Sequence, residues 1–192
     1  MRKILAVLLA LAALLCVPAF AEAQWVEYDF GDFTMSFPED IMCSISGEIV
    51  NNEPFFVFYQ DYDETAAFNK SLNGVWSEGA ADLTTVDPTA YGQTVLATVA
   101  SQLGEYGIAV TDPALIAAAL DAHDGKPALS IIYGMGVDYS AVGVDLQMTL
   151  YTMQAVVSDE AFGGSYTFTI STDDITAATL LMEIMDTIQW TV

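Results

Sequence analysis

Residues 166–188 read YTFTISTDDITAATLLMEIMDTI, and within them a strand pattern gives way to a helix pattern. Apolar and polar residues alternate over 165–170, which predicts a strand. Ser171 lies three residues before Asp174, a spacing related to a helix capping box, and the acidic residues there suit the positive end of a helix dipole. Apolar residues then recur on one helical stripe: Ala178, Leu181, Met182, Met185 and Ile188. The stretch therefore predicts a strand followed by a C-terminal helix.

Two segments upstream of this stretch predict further strands. Residues 128–133 and 142–157 are rich in β-branched, aromatic and long apolar side chains, and a turn over 158–164 joins the second of them to the strand at 165. The segment before them fits two patterns. Asp112-Pro113 followed by an alanine-rich run predicts a capped helix over 114–122. Asp124-Gly125 instead predicts a hairpin that would make residues 114–122 a strand, and the pattern alone leaves this choice open.

The N-terminal third predicts more sheet. Residues 25–38, WVEYDFGDFTMSFP, alternate around Gly31-Asp32 as a β-hairpin does, and residues 41–50 predict a third strand. The run FFVFY at 55–59 is apolar on both faces, as is typical of a central strand that is covered from both sides.

The middle of the chain predicts a connection and then a helix. Residues 61–87 mix Asn, Gly, Ser and Asp, which indicates a loop with one helical turn around 64–68. Asp87 and Pro88 then provide a helix N-cap and first turn, and apolar residues recur at helical spacing over 88–103. We predict a single domain over residues 22–192 of α+β class, with a largely antiparallel sheet covered by helices.

Residues 1–21, MRKILAVLLALAALLCVPAFA, have the layout of a secretory signal peptide. Arg2 and Lys3 precede an apolar run over 4–17 that is shorter than the roughly 20 residues needed to span a bilayer. Cleavage is expected after Ala21, with Ala23 as an alternative. The leucines before Cys16 are a poor match to a lipid-attachment signal, so this cysteine is assigned to the apolar run. The leader predicts a secreted or cell-envelope protein that is not an integral membrane protein once it is cleaved.

The chain of 192 residues combines a formal net charge of −22 with 54% hydrophobic residues. A disordered chain of that charge would be poor in apolar residues, so this chain is expected to fold. Without the leader, only Lys70 and Lys126 remain against 26 acidic residues, which gives a formal charge of −24. Nucleic acid and anionic lipid require a surface rich in lysine and arginine, so we predict no nucleic-acid partner.

Three stretches resemble the Mog1/PsbP-like family: FTMSFPEDI at 33–41, DGKPALSIIY at 124–133, and the strand and helix at 166–188. The resemblance covers most of the chain after the leader. It implies an α/β/α sandwich built on a largely antiparallel sheet, and a hairpin over 114–133. Members of the family include photosystem accessory proteins, a Ran-binding nuclear import factor and exported bacterial proteins without assigned activity. The resemblance therefore implies a binding or accessory role.

Candidate sites are few. His123, the one histidine, lies between Asp121 and Asp124 and would suit a carboxylate-held proton acceptor, but no nucleophile motif accompanies it and a solvated turn histidine is favoured. The acidic cluster of Asp61, Asp63 and Glu64 offers oxygen ligands for Ca²⁺, although it lacks EF-hand spacing.

Other side chains have simpler interpretations. Cys43 has no nearby cation to hold a thiolate and is interpreted as a small buried residue. Trp76, Tyr139 and Tyr151 are candidates for lining a ligand pocket. No catalytic, cofactor-binding or metal residue is assigned.

We therefore predict an exported, non-enzymatic accessory or binding domain whose partner is a protein or a small-molecule ligand. One alternative is a secreted hydrolase that uses dispersed carboxylates, because two acids held roughly 5–10 Å apart suffice for glycoside chemistry. The other is a structural or oligomerising secreted protein.

Overall fold

A computed structural model describes residues 24–192, so the predicted leader and Cys16 lie outside the described residues. These residues form ten strands and two α-helices. The strands are β1 (Trp25–Asp29), β2 (Phe33–Pro38), β3 (Cys43–Ile45), β4 (Pro54–Gln60), β5 (Lys70–Glu78), β6 (Ala109–His123), β7 (Lys126–Asp138), β8 (Gln147–Asp159), β9 (Gly164–Thr172) and β10 (Gln189–Trp190). The helices are α1 (Pro88–Glu105) and α2 (Thr179–Met185).

The strands form two sheets, and every pair of neighbouring strands is antiparallel. The larger sheet has the order β3-β4-β5-β9-β8-β7-β6, and the smaller has the order β1-β2-β10. The α+β class with a largely antiparallel sheet is therefore confirmed. No helix within residues 24–192 has the length and apolar character needed to cross a membrane.

Layers cover both faces of the large sheet. Helix α1 packs on β6 and β7, where Leu96 meets Leu129 and Ile131 in one core. The small sheet and α2 pack on the opposite face and share a second core that is dominated by aromatic side chains. The largest fully buried members of that core are Phe33, Phe37, Phe55, Phe56, Phe58 and Phe168. The helices and the small sheet thus bury the apolar rows that alternate along the strands.

The ambiguous segment is a hairpin, and the helix over 114–122 is wrong. Strands β6 and β7 meet at a two-residue turn in which Asp124 has φ +46° and Gly125 has φ +80°. Both central residues of a type I′ turn require positive φ, which aspartate tolerates and glycine adopts freely. The backbone pairing with β7 then outweighs the helix propensity of the alanines.

The predicted N-terminal hairpin is confirmed as β1 and β2, but the next two predictions need correction. The strand over 41–50 shortens to β3, because the Ser46 hydroxyl exchanges hydrogen bonds with the backbone of Glu48 and turns the chain. Strand β4 is second from the sheet edge and not central. A bulge at Phe55 brings this ring and the Phe56 ring over the same side of Gly74 in β5, so the consecutive aromatic residues do not mark two covered faces.

The predicted connection over 61–87 contains β5, which lies between β4 and β9. The helical turn around 64–68 is also wrong. The Asp63 carboxylate accepts hydrogen bonds from the backbone N–H and the hydroxyl of Thr65, and the Asn69 side chain bonds the Asp63 backbone. These local contacts hold the segment as a turn, as aspartate and asparagine commonly do.

Helix α1 is confirmed, with the Asp87 carboxylate accepting from the N–H groups of Thr89 and Ala90. The C-terminal helix is shorter than predicted. Asp174 caps a 3-10 turn over Ile175–Ala177, and α2 begins after it and ends at Met185. Ser171 lies in β9 and does not cap the helix.

Candidate functional site

Helix α2 is too short to cover its side of the large sheet. Its seven residues extend about 10 Å, whereas seven strands span about 29 Å across the sheet. The helix and the small sheet lie over β4, β5 and β9, and leave part of β6, β7 and β8 uncovered on this side. Helix α1 does not compensate, because it packs on the opposite face.

The uncovered part presents a continuous apolar surface, which we call the open face: Ile116, Ile132, Tyr151, Met153 and Met182. Gly134 lies at its centre, with the Tyr151 ring and the Ile116 side chain both packed over it. Ile116 is 53% exposed and Met182 is 39% exposed. Contiguous exposed apolar surface on a soluble protein commonly marks an interaction site.

A groove of about 300 Å³ runs along the open face between α2 and the sheet. Met182 and Met185 form its α2 side, and Ile132 and Met153 form its floor. His123 and Asp186 also line it. Methionine side chains are flexible and polarisable, so they adapt to apolar partners of different shape.

The charges near the open face are acidic. Asp121, Glu183 and Asp186 are exposed on β6 and at the C-terminal end of α2. Within residues 24–192 both lysines are held in ion pairs, Lys126 Nζ at 3.0 Å from Asp159 Oδ2 and Lys70 Nζ at 3.7 Å from Asp173 Oδ1. The described part of the chain therefore offers an approaching molecule acidic groups and no unpaired lysine.

Two solved structures are similar to this fold. The solution structure of cyanobacterial PsbP (CyanoP) from Synechocystis sp. PCC 6803 matches with a TM-score of 0.60 at 19% identity, over 90% of this chain and 95% of that one. The crystal structure of the Saccharomyces cerevisiae Ran-binding protein Mog1p matches with a TM-score of 0.51 at 12% identity, over 88% and 96%. The chain has a Mog1/PsbP-like fold. No family model and no curated protein sequence matches it.

His123 ends β6 in this Mog1/PsbP-like fold and lies beside the groove. Neither neighbouring carboxylate holds it: Asp121 accepts from the N–H of Ala122, and Asp124 accepts from the N–H of Trp190. The buried His123 Nδ1 has no hydrogen-bond partner among the described residues. Within the described residues no carboxylate therefore orients the His123 ring.

In the acidic cluster proposed for calcium, one carboxylate is already hydrogen-bonded within the chain. The Asp63 carboxylate accepts hydrogen bonds from the hydroxyl and the backbone N–H of Thr65, and these hydrogen bonds lower the pKa of Asp63. A small cavity of about 130 Å³ is lined by Asp61, Asp63 and Asp173, and Lys70, which lines the same cavity, pairs with Asp173. Among residues 24–192 no group of three or more His, Cys, Asp or Glu is close enough to hold a metal ion. Calcium binding by Asp61, Asp63 and Glu64 stays a prediction.

The remaining candidates are dispersed. Cys43 is half-buried, and burial raises the pKa of its thiol to about 11, which suits a packing role. Trp76 packs against the aromatic core, Tyr139 against the core under α1, and Tyr151 on the open face, so these rings do not line one pocket.

The open face was missed by sequence reasoning. Met182 belongs to the predicted apolar stripe of the helix, and nothing local indicates that α2 ends before it covers β7 and β8. The exposed side of α1 has a larger, shallow trough of about 820 Å³, but small and polar side chains line it and the hydroxyls of Thr94 and Thr98 bond to the helix's own carbonyls. The open face therefore remains the stronger candidate.

Protonation of the Asp159 carboxylate in acid is expected to lower the stability of the protein. Its carboxylate accepts from the Ala161 N–H at 2.9 Å and from Lys126 Nζ at 3.0 Å, and these contacts lower its pKa. The unfolded chain takes up this proton at a higher pH than the folded chain. The stabilisation is therefore complete above about pH 5 and is lost as the pH falls through the usual aspartate pKa and then the lower folded value.

Urea unfolding measured between about pH 5 and pH 2 checks this expectation. The unfolding midpoint of wild type should fall more steeply with acid than that of Asp159→Asn. The variant Asp145→Asn removes another exposed carboxylate and should follow wild type. Equal slopes for wild type and Asp159→Asn would contradict the assignment.

Proposed function

We propose that this protein is an exported, non-enzymatic accessory domain that binds a partner protein through the open face. The observation that carries the proposal is the continuous apolar surface that α2 leaves uncovered, with Ile116 53% exposed at one side and Met182 39% exposed at the other. Export to the cell exterior or envelope rests on the signal-peptide pattern of residues 1–21.

The fold supports a binding role by analogy. The yeast protein of similar fold is described as Ran-binding, so a protein of this fold binds a protein partner in at least one case. The four aspartates with resolved pKa shifts, Asp63, Asp138, Asp159 and Asp174, all have lowered pKa values because of hydrogen bonds. A general acid of a hydrolase needs a raised pKa, so none of these four suits that role.

Site-specific photo-crosslinking in cells that export the protein tests the proposal. A benzoylphenylalanine at position 182 should form a covalent adduct of defined mass. The same group at Gln93, which is exposed on the far side of the sheet on α1, should not form that adduct. Adding Ile132→Glu places a charge on the open face and should reduce the adduct at position 182 at least about tenfold, because burying an unpaired charge is costly.

Two results would argue against the proposal. One is equal adduct formation from positions 182 and 93, which would indicate non-specific contact. The other is an adduct at position 182 that survives Ile132→Glu in a variant whose thermal unfolding is unchanged, because the apolar surface would then not be what the partner binds.

A further inference from the structure

Strand β6 is the one long edge strand of the large sheet. It extends over 15 residues, whereas the opposite edge, β3, has three. In the part of the chain that the structure describes, no strand pairs with the outer side of β6. The Ala122 N–H donates to the Asp121 carboxylate. The other backbone N–H and C=O groups on that side form a template for another strand.

Half of this edge is protected and half is open. Two bulges interrupt β6, one between Thr111 and Ala114 and the other between Leu115 and Ala117. Bulges and prolines are common devices that prevent edge pairing, and Pro113 lies in the first bulge. From Ala117 to His123 the pairing with β7 is regular and the strand has no lysine or proline. The regular half therefore lacks bulges, prolines and lysines, and the charged residue on it is Asp121.

The side chains of the regular half are small enough for another strand to lie close to β6. Ala117 and Ala119 are exposed and small, and they pair across the ladder with Ile132 and Ser130 on the open-face side. A strand added beside them would place alternate side chains next to Ile116, Ala117 and Ala119, on the side of the sheet that carries the open face. The outer edge of β6 and the open face thus form one continuous surface.

Two acidic side chains beside this edge favour a strand that carries basic residues. The uncharged stretch over 113–120 lies between Asp112 and Asp121, and both are exposed. Asp121 pairs with Ala128 on β7, and Asp112 lies in the bulge opposite Met135. Ala128 and Met135 are seven residues apart on β7, which corresponds to about 23 Å along the strand. A second copy of this chain without its leader would bring another formal charge of −24 to the same place, since 2 lysines stand against 26 acidic residues. A basic segment would instead neutralise the local charge.

We infer that the regular half of β6 binds an extended segment of a partner protein by strand addition at its outer edge. We infer also that this segment continues past the two bulges to Asp112, so that its apolar residues lie between two basic residues about seven positions apart. The inference rests on the proposed function and specifies how the partner binds. Main-chain hydrogen bonds supply affinity in this binding mode, and alternate side chains supply specificity.

Synthetic peptides test the binding mode by isothermal titration calorimetry. The probe is acetyl-Lys-Thr-Val-Thr-Val-Thr-Val-Lys-amide, which has its lysines seven positions apart. It should bind wild type with a Kd below about 1 mM, and binding should weaken as NaCl is raised. The same peptide with both lysines replaced by glutamate should bind at least about tenfold more weakly.

Backbone methylation distinguishes strand addition from insertion of side chains into the groove. One version of the peptide carries N-methyl groups on the three valines, and another carries them on the three threonines. A strand uses the N–H groups of one side only, so one version should lose binding and the other should retain it. Equal loss or equal retention in both versions would overturn strand addition.

Protein variants complete the test. Ala119→Lys places a cation on the regular half of β6 and should weaken peptide binding at least about tenfold. Thr98→Lys, on the exposed side of α1, makes the same charge change and should not. Thermal unfolding of both variants verifies that they are folded. Unchanged binding by folded Ala119→Lys would overturn the inference.

The outcomes separate this inference from the proposed function. If the basic peptide does not bind but the adduct at position 182 forms and depends on Ile132, the open face binds a partner and the edge does not. If light scattering shows that wild type is a dimer that Ala119→Lys dissociates, the edge is occupied by a second copy and the inference of a basic partner is overturned.

Discussion

Phe33→Ala is expected to lower the free energy of unfolding by about 3–5 kcal/mol, the usual cost of deleting a large buried aromatic side chain. Phe33 is fully buried where the small sheet packs on the large sheet. Its ring centroid lies 5.0 Å from that of Phe30, 5.2 Å from that of Tyr166 and 5.0 Å from that of Trp190. Alanine would leave a cavity lined by rings that other contacts hold in place.

This loss would be a large part of the 5–15 kcal/mol that is typical of a folded domain. Equilibrium urea unfolding of wild type and variant measures it, and the slope m verifies that the two unfold in the same way. Tyr106→Ala is the control, because Tyr106 is 75% exposed and its loss should change the free energy of unfolding by no more than about 0.5 kcal/mol. A cost below about 1 kcal/mol for Phe33→Ala would contradict the tight packing between the two sheets.

Helices and turns that are determined by residues close in the sequence were predicted well. Helix α1 begins where Asp87 and Pro88 place it, because capping depends on residues within one turn. The hairpin of β6 and β7 is closed by Asp124-Gly125, a local turn signal. The alanine-rich run before that turn favours a helix by propensity. The pairing with β7 that decides against the helix is not visible in the run itself.

The candidate site was not predicted, for a similar reason. Ile132 on β7 and Met182 on α2 line the same groove although 50 positions separate them in the sequence. The apolar stripe of the C-terminal segment extends to Ile188, but the helix ends at Met185. Ile188 is nevertheless buried in the aromatic core. The pattern therefore identified apolar residues correctly but did not show how much of the sheet the helix would leave open.

Strand β5 was missed because its signal depends on partners elsewhere in the chain. Its residues on the aromatic-core side are Leu72, Gly74 and Trp76, so a glycine stands where a strand pattern needs a large apolar side chain. The glycine is required because the Phe55 and Phe56 rings of β4 occupy the space that a side chain at position 74 would fill. A local rule thus interprets the residue as a turn signal, while the packing requires it in a strand.

That packing predicts a large effect of Gly74→Ala, about 2–3 kcal/mol of lost stability. The added Cβ would lie 2.6 Å from Cζ of Phe55, and closer still to Cε1 of Phe56. Both rings are only 1% exposed, so they have no free space into which to move. Gly47→Ala is the matched control, because nothing lies within 4 Å of the Cβ position there. Urea unfolding of the control should match wild type within about 0.5 kcal/mol.

A double-mutant cycle with Phe56→Leu tests the stated cause. Leucine lacks the ring edge that meets the new Cβ, so Gly74→Ala should cost less in the Phe56→Leu background than in wild type. The expected coupling is about 1–2 kcal/mol, within the range for residues in direct contact. Additive costs would contradict a clash between the new Cβ and the Phe56 ring. The same cycle with Tyr106→Ala in place of Phe56→Leu should be additive, because Tyr106 is exposed and is not part of the aromatic core.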